Sequence, residues 1–402
     1  MFKFLNLQPE IFGMDINDLS LRVLKLKKTR KGFCLASFNE IDIKPGIVKE
    51  GVIQEPEALI EIIKFACSTV KGEKLGTKYV AVSLPEEKSF SQVIQVPKMT
   101  EKELESAVLF EAENYIPLPI DKVYLDFQII NSHNQDNFNH LDLLINVMPK
   151  AIIDSYVYCL KEAGLMPCIL EVESQSIARA LIESNSNKLS GESIAAGSDI
   201  KIMASDQFHG YKKEKQDDIA VLFIDLGVSS TSFVIFADNS VRFTSSIPIS
   251  SQALTVAVTE KLGINLDEAE KLKVKYGLTI KEGIKNDDIT RAIKPLLMDL
   301  ASQIKKYISF YQSHSSHDYL SSDNPSYGKI EKIILCGGGA NLKGLSKFLM
   351  EQIKISVEIG HPFVNIFGNG NCNDIDDQII INQKMLSFTT ALGLALRGVK
   401  ES

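Results

Sequence analysis

No two cysteines stand in C-x-x-C spacing, and all six (Cys34, Cys67, Cys159, Cys168, Cys336, Cys372) lie far apart. That argues against a disulfide frame or a zinc site and leaves small buried apolar residues in a reducing compartment. Six scattered histidines have no metal-ligand spacing either; His314 and His317 sit in a Ser-rich stretch. Positive charge is also short: the net charge is -7 over 402 residues, with no basic stripe interleaved with aromatics. Nonspecific nucleic-acid binding is disfavoured. The first residues have no apolar core of signal-peptide length. The apolar run 219–237 approaches the length of a membrane span, but Asp225 and a Gly-Val-Ser-Ser turn interrupt it. It reads as two buried strands. With 45% apolar and 24% charged residues the signature of disorder is absent too. A cytoplasmic protein of two or more compact units, without direct membrane insertion, is expected.

One short pattern occurs twice. Residues 11–18 (IFGMDIND) and 220–227 (AVLFIDLG) each place an Asp, Asp15 or Asp225, between an apolar strand and a tight turn, with another strand after it. A carboxylate at a hairpin mouth is costly unless it serves something, and the turn beside it aims N–H groups outward. Two such hairpins can hold a phosphate chain from both sides, their acids reaching Mg²⁺ through water. Two ordinary turn aspartates are the bland alternative. A third segment, residues 329–336, reads as a buried strand ending in Gly337-Gly338-Gly339-Ala340-Asn341, where a ligand can approach the backbone closely. In this order the three segments resemble the nucleotide-binding pattern of the actin, Hsp70 and sugar-kinase superfamily.

Strands are expected at 33–43 and 78–84 with a helix at 57–70 between them; strand 240–247 follows the second hairpin. The repeated βββα unit implies an α/β chain of two lobes with a ligand cleft between them. Residues 89–164 have another rhythm: strand, helix, two strands, helix. The helix opens on a capping box, Thr100 to Glu103, and sets Leu104, Ala107, Val108, Ala112 and Tyr115 on one face before Pro117 and Pro119 end it. This block reads as an inserted small domain; belonging to the first lobe's sheet is the alternative. Residues 184–218, 313–328 and 368–377 are polar and aperiodic and read as mobile. A long helix ending near Tyr311 carries Ile293, Leu297, Leu300, Ile304, Tyr307 and Ile308 as a core stripe.

The ordered set VPKMTEKELESAVLFEAENYIPLP, KEAGLMPCILEVESQSIARAL, DLGVSSTSF, AEKLK, CGGGANLKGL, HPF and TTALGLALRG resembles the PilM family of type IV pilus assembly proteins over nearly the whole chain. The resemblance implies a two-lobed actin-like (ribonuclease H-like) ATPase fold with an inserted small α+β subdomain, called 1C. It places 1A at 1–88 and 165–183, 1C at 89–164, a flexible insertion at 184–217, and the second lobe at 218–382. Within that lobe 2B spans about 256–312, and a closing helix at 383–402 returns to 1A. It also implies ATP or ADP with Mg²⁺ in the cleft. The partner would be a PilN-like membrane protein whose N-terminal tail lies in a groove on 1A and 1C, alongside other pilus platform and motor proteins. Recruitment would be to the inner face of the cytoplasmic membrane.

Carried over by position, Asp15 and Asp225 face Mg²⁺ and phosphates, and Gly227, Ser229 and Ser230 cradle the β/γ end. Glu270 and Lys273, three apart on one helix face, reach the ribose hydroxyls or form a solvated ion pair. Gly338, Gly339 and Ala340 line adenine and ribose. Glu173 positions water or caps its helix. Tyr115, Ile116 and Leu118 wall the partner groove or pack the helix end. Four departures fall on the phosphate loops. Asn17 stands for Gly, Asp18 for a small hydroxyl residue and Arg22 for Lys, while Ser250-Ser251 replaces Gly-Gly. Asp18 adds repulsion, Arg22 keeps the charge at another reach, and Ser251 hinders close backbone approach. The expected function is a nucleotide-binding adaptor with slow or no hydrolysis; the alternatives are an FtsA-like cell-division homologue and an active ATPase or kinase.

Overall fold

The computed structural model describes residues 9–29, 32–130, 140–183, 201–202, 220–279, 284–315, 328–366 and 384–401. The chain opens with strands β1 (Phe12–Ile16), β2 (Ser20–Thr29) and β3 (Gly32–Asp42), then a small hairpin, β4 (Val48–Lys49) and β5 (Val52–Ile53). Helix α1 (Pro56–Ser68), β6 (Lys71–Gly72) and β7 (Tyr79–Leu84) follow. Next come β8 (Phe90–Pro97), α2 (Glu101–Ala112), β9 (Val123–Ile130) and β10 (His140–Pro149). Then α3 (Lys150–Glu162), β11 (Met166–Val172), α4 (Glu173–Leu181) and β12 (Lys201–Ile202). The second half runs β13 (Ala220–Leu226), β14 (Thr231–Ala237), β15 (Ser240–Ile247), α5 (Ser251–Leu262), α6 (Leu266–Tyr276) and α7 (Ile284–Ser315). It continues with β16 (Ile330–Cys336), α8 (Leu345–Ile353) and β17 (Ser356–Ile359), and α9 (Thr389–Glu401) closes the chain.

These elements form two compact units, one of Met1–Lys212 with His361–Ser402, the other of Lys213–Gly360. In the first, seven strands lie in the order β12-β11-β7-β1-β2-β3-β6. Strand β1 pairs antiparallel with β2 and parallel with β7, and all five of its residues are buried. Apolar residues of α1 and α3, among them Leu59, Ile63, Tyr156 and Leu160, join Met14, Val82 and Leu170 of the sheet in one core. Ala391, Leu392, Ala395 and Leu396 of α9 form another with Leu24, Leu26 and Phe38. Helix α9 runs so close to β1 that a Cβ on Gly13 would lie 2.3 Å from the Ala391 carbonyl oxygen. That explains the small residue two before Asp15. A buried ion cluster ties the last helix in: Glu171 of β11 accepts from Arg179 of α4 and Arg397 of α9. Burial opposes its ionisation, yet the two guanidinium groups win and hold the Glu171 carboxyl at about 2.

The 89–164 block contains its own three-stranded antiparallel sheet, β8-β10-β9, and among the described residues none of its strands pairs with the seven-stranded one. Strand alternation sends Ile94, Val96, Leu143, Ile145 and Val147 to one face, where they meet Leu104, Val108, Ala112 and Ile116. Thr100 and Glu103 form the reciprocal capping box that opens α2. The helix ends at Ala112, five residues before Pro117, because residues 114–116 turn back and donate to the Glu111 and Ala112 carbonyls. On the sheet's other face Ser91, Asn146 and Asp126 stand in register across the three strands. Burial pushes the Asp126 carboxyl up to about 6, against the Phe127 amide and the charge of Arg397.

The second unit is a five-stranded sheet, β15-β14-β13-β16-β17, with β13, β16 and β17 parallel. Helix α7 buries Ile293, Leu297, Leu300, Ile304 and Ile308 and packs against α5, α6 and α8. The Tyr307 ring stacks 5.0 Å from Phe233 and 5.8 Å from Phe243. The expected end of the second lobe at 382 needs correction. The chain rejoins the first unit at His361, because Phe363 and Ile366 bury themselves in the core of α9 and β2. The segments read as mobile, 184–218, 313–328 and 368–377, lie almost wholly outside the described residues.

Candidate functional site

In the first unit Asp15 stands next to last in β1, and three side chains hold its carboxylate. Its Oδ1 accepts from Ser83 Oγ at 2.8 Å, and its Oδ2 from Asn17 Nδ2 at 2.8 Å and Arg22 Nη1 at 3.4 Å. The residue is 2% exposed. Burial raises its pKa, and Arg22 and the three hydrogen bonds pull it back. Asn17 therefore does two jobs: its amide N–H closes the turn on Ser20 O at 2.9 Å, and its side chain holds Asp15. Arg22 is shared between Asp15 and Glu40, whose second oxygen meets Lys384 ahead of α9. The Arg22 side chain is 9% exposed, and its guanidinium lies between two carboxylates.

Asp18 points away from this pocket. Its two oxygens accept the amides of Glu50 and Gly51 at the tip of the β4–β5 hairpin, at 2.8 and 2.9 Å. Glu50 and Gly51 both have positive φ, the geometry in which successive N–H groups converge on an anion. Here the anion is the protein's own. The buried Tyr156 hydroxyl donates to Gly51 O at 3.1 Å. Burial raises its pKa well above the ordinary phenol value, and Glu173, Glu87, Asp18 and Asp15 add to the rise. Glu173 is thus near the first hairpin, as the first residue of α4 and partly exposed. A residue that sequence reasoning missed also holds the start of this helix. Buried Glu86 accepts from the Ser174 amide at 3.0 Å. Nothing in a lone Pro-Glu-Glu stretch signals that partner, 88 residues away.

In the second unit Asp225 ends β13 under the glycine turn that follows β16. A Cβ on Gly337, whose φ is +77°, would stand 2.0 Å from Asp225 Oδ1 and 2.7 Å from Leu226 O. One on Gly339 would strike Leu226. Gly339 and Ala340 are buried on β13, and Gly338 alone of the three faces solvent. The loop between β13 and β14 is spent on the helix beyond. The Gly227 and Val228 carbonyls accept from the Ser251 and Gln252 amides at 2.9 and 3.1 Å. Ser250 Oγ takes the Ala253 amide at 3.1 Å, and the Gly227 amide goes to Ser230 O. Ser229 and Ser230 are half-buried.

Glu270 and Lys273 are an ion pair at 2.7 Å, but not a solvated one. Lys273 is 3% exposed and donates to Ser251 O, Ser251 Oγ and Thr255 Oγ1, each at 2.8 Å. Burial lowers its pKa and Glu270 raises it again. Lys273 thereby fastens α6 to the first turn of α5, while Glu270 keeps an exposed edge. The Ser251 hydroxyl supplies one of the three acceptors. Gly277, at the end of α6, lies against Lys343, so the glycine-rich segment and α6 share one wall.

Of the expected groove residues, Tyr115 and Leu118 are 49% and 44% exposed, whereas Ile116 is buried in the α2 core. Ile116 is therefore removed from the groove. Two residues unnoticed in the sequence, Leu109 and Phe110, are exposed on the same helix, Phe110 to 71%. Their signal was present, since neither has a place on the 104–108–112 stripe.

These contacts decide what the first hairpin can hold. An aspartate that reaches Mg²⁺ through water needs carboxylate oxygens open to that water; both Asp15 oxygens are buried and taken. Among the described residues no three His, Cys, Asp or Glu side chains group to hold a metal.

The family described as "Type IV pilus assembly protein PilM" matches residues 13–399. A solved "PilM-PilN type IV pilus biogenesis complex" has a chain 24% identical to this one, TM-score 0.73, aligned over 97% of this chain and 98% of that one. The ethanolamine utilization protein EutJ of Carboxydothermus hydrogenoformans is 14% identical with a TM-score of 0.51, over 97% and 90% of the two chains. The cell division protein FtsA of Buchnera aphidicola is 24% identical over 174 residues, 39% of this chain and 40% of that protein. The chain thus spans about two fifths of the length of that relative. The fold is the actin-like α/β ATPase fold.

Proposed function

Since the chain belongs to the type IV pilus assembly protein PilM family, we propose that it is a cytoplasmic adaptor of the pilus assembly platform. Its output is partner binding, not turnover. The partner is a PilN-like membrane protein whose short N-terminal tail docks on the inserted block and draws the chain to the inner face of the membrane. The observation that carries this reading is the exposed apolar set Leu109, Phe110, Tyr115 and Leu118 on that block. Solvated side chains of this size, gathered on one helix and the turn after it, mark contact surfaces. Among the described residues no helix is long and apolar enough to cross a membrane, so action there needs such a tether. An extended tail would order on binding, which keeps affinity modest. The second unit carries an adenine nucleotide as a structural ligand, with Glu270 toward the ribose and the exposed backbone at Gly338 toward the base. Pull-down with the tail tests the adaptor reading. Phe110→Asp and Leu118→Asp should reduce capture at least tenfold while melting like wild type. Failure of the wild type to capture any tail would overturn the reading, and undiminished capture by both variants would move the surface elsewhere.

A further inference from the structure

The net charge of the chain is gathered in one place. Residues 89–164, the inserted block, have five lysines, no arginine and eleven Asp or Glu, a net charge of -6 where the whole chain has -7. Within the block, the run from Glu103 to Asp121 holds five acids and no Lys, Arg or His. The same run carries the exposed Leu109, Phe110, Tyr115 and Leu118. One of its acids is used locally, since Glu103 accepts from the Thr100 amide and hydroxyl where α2 begins. Glu105 and Glu113 are exposed, and among the described residues neither has an ion-pair partner. Glu113 follows the last turn of α2 and keeps helical φ and ψ. The two glutamates stand four residues before and four after Leu109, so a carboxylate lies one turn to each side of that side chain on the same face.

Charge of one sign around solvated apolar side chains defines what can sit there. Uncompensated carboxylates repel an acidic segment and an anionic lipid surface alike, and they attract cations from a distance. The apolar side chains between them ask for an apolar residue in the same segment. A cytoplasmic tail next to a membrane span has this chemistry, because such segments carry an excess of Lys and Arg. We propose that α2 selects its partner by charge. Glu105 and Glu113 pair with two cations of the tail, while an apolar residue between those cations packs on Leu109 and Phe110. Eight residues of helix rise about 12 Å, a distance that an extended tail covers in about four residues. The two cations therefore stand about four positions apart. This rests on the proposal that the inserted block takes the tail, and it adds the specificity residues and the class of tail they accept.

Fluorescence anisotropy on the full chain tests it with a pair of synthetic peptides. One has two lysines four positions apart with leucine and phenylalanine between them; its twin has glutamates in place of the lysines. The proteins are the wild type and a double variant, Glu105→Lys with Glu113→Lys. Both sites face solvent, so the variant should melt like wild type. Wild type should bind the lysine peptide about tenfold or more tighter than its twin, and added salt should erode the difference. The double variant should reverse the preference. Equal binding of the two peptides by wild type, or an unreversed preference in the folded variant, would overturn charge selection while leaving the adaptor reading intact. If wild type binds neither peptide, the pull-down above separates the two readings: capture of the tail there overturns charge selection alone, and failure there overturns the adaptor reading.

Discussion

The two aspartate hairpins share a sequence pattern and set different neighbours over their acids. Asp15 is locked by charge and side-chain hydrogen bonds from β2, β7 and the turn. Asp225 is boxed in by backbone, under a glycine turn that leaves no room for a methyl group. Arg22 stabilises the first arrangement electrostatically, so it responds to pH. Over the second carboxylate the fit at Gly337 is so close that a single added carbon atom breaks it. Local pattern therefore specifies the hairpin, and the neighbour that fills the space above the carboxylate specifies its chemistry.

The largest effect should come from the second hairpin. Gly337→Ala adds a Cβ at a positive φ and drives it into Asp225 and Leu226; about 4 kcal/mol of stability should be lost. Urea denaturation followed by circular dichroism reads this directly. A midpoint like that of wild type would mean that the turn relaxes and that the contrast between the hairpins is smaller than drawn.

Breaking the first hairpin should cost about 3 kcal/mol at neutral pH, through Arg22→Met, which leaves a buried carboxylate without its cation. The pH dependence carries the sign. Asp15 has a raised pKa in the fold, and losing Arg22 raises it further. Such a group contributes fully below its unfolded value near 4 and loses that contribution as pH rises through the folded pKa. Glu40, whose pKa Arg22 and Lys384 hold down against burial, loses support only where it is ionised. The deficit of the variant should therefore shrink as pH falls from 7 toward 4. The denaturation midpoint measured across that range would contradict the charge-lock picture if the deficit stayed constant or grew.

Asp18→Ala sharpens the comparison least in energy, at about 1 kcal/mol, the worth of a partly exposed carboxylate on two amides. Its direction matters more. If Asp18 serves the β4–β5 hairpin, the substitution lowers the melting temperature and speeds hydrogen exchange at Glu50 and Gly51. A variant as stable as wild type, with protection at those amides intact, would return Asp18 to the role of a repulsive charge beside a ligand.

Much of the fold was legible. Alternation and apolar runs located β13, β14 and β15. Those signals are local, since strand and helix periods follow from the backbone. The α7 stripe was equally plain, though the helix runs on to Ser315. The candidate sites were legible in identity but not in use. Lys273 on the AEKLK face was visible; that Ser251 and Thr255, 22 and 18 residues earlier, would take up its protons was not. Glu86 and Tyr156 carried no motif at all, because a capping or sealing partner is chosen by packing across the fold.

By itself the sequence determined the repeated hairpins, the inserted block, the glycine turn after β16 and the family. Each is written in residues close together along the chain, where sterics and hydrophobic period act without distant help. Tertiary structure alone decided which polar groups remain available. Asp15, Asp18, Arg22 and Lys273 are ordinary charged residues on paper. Each is assigned to a partner between 7 and 33 residues away, because a buried polar group must find one there or forfeit its hydration unrepaid.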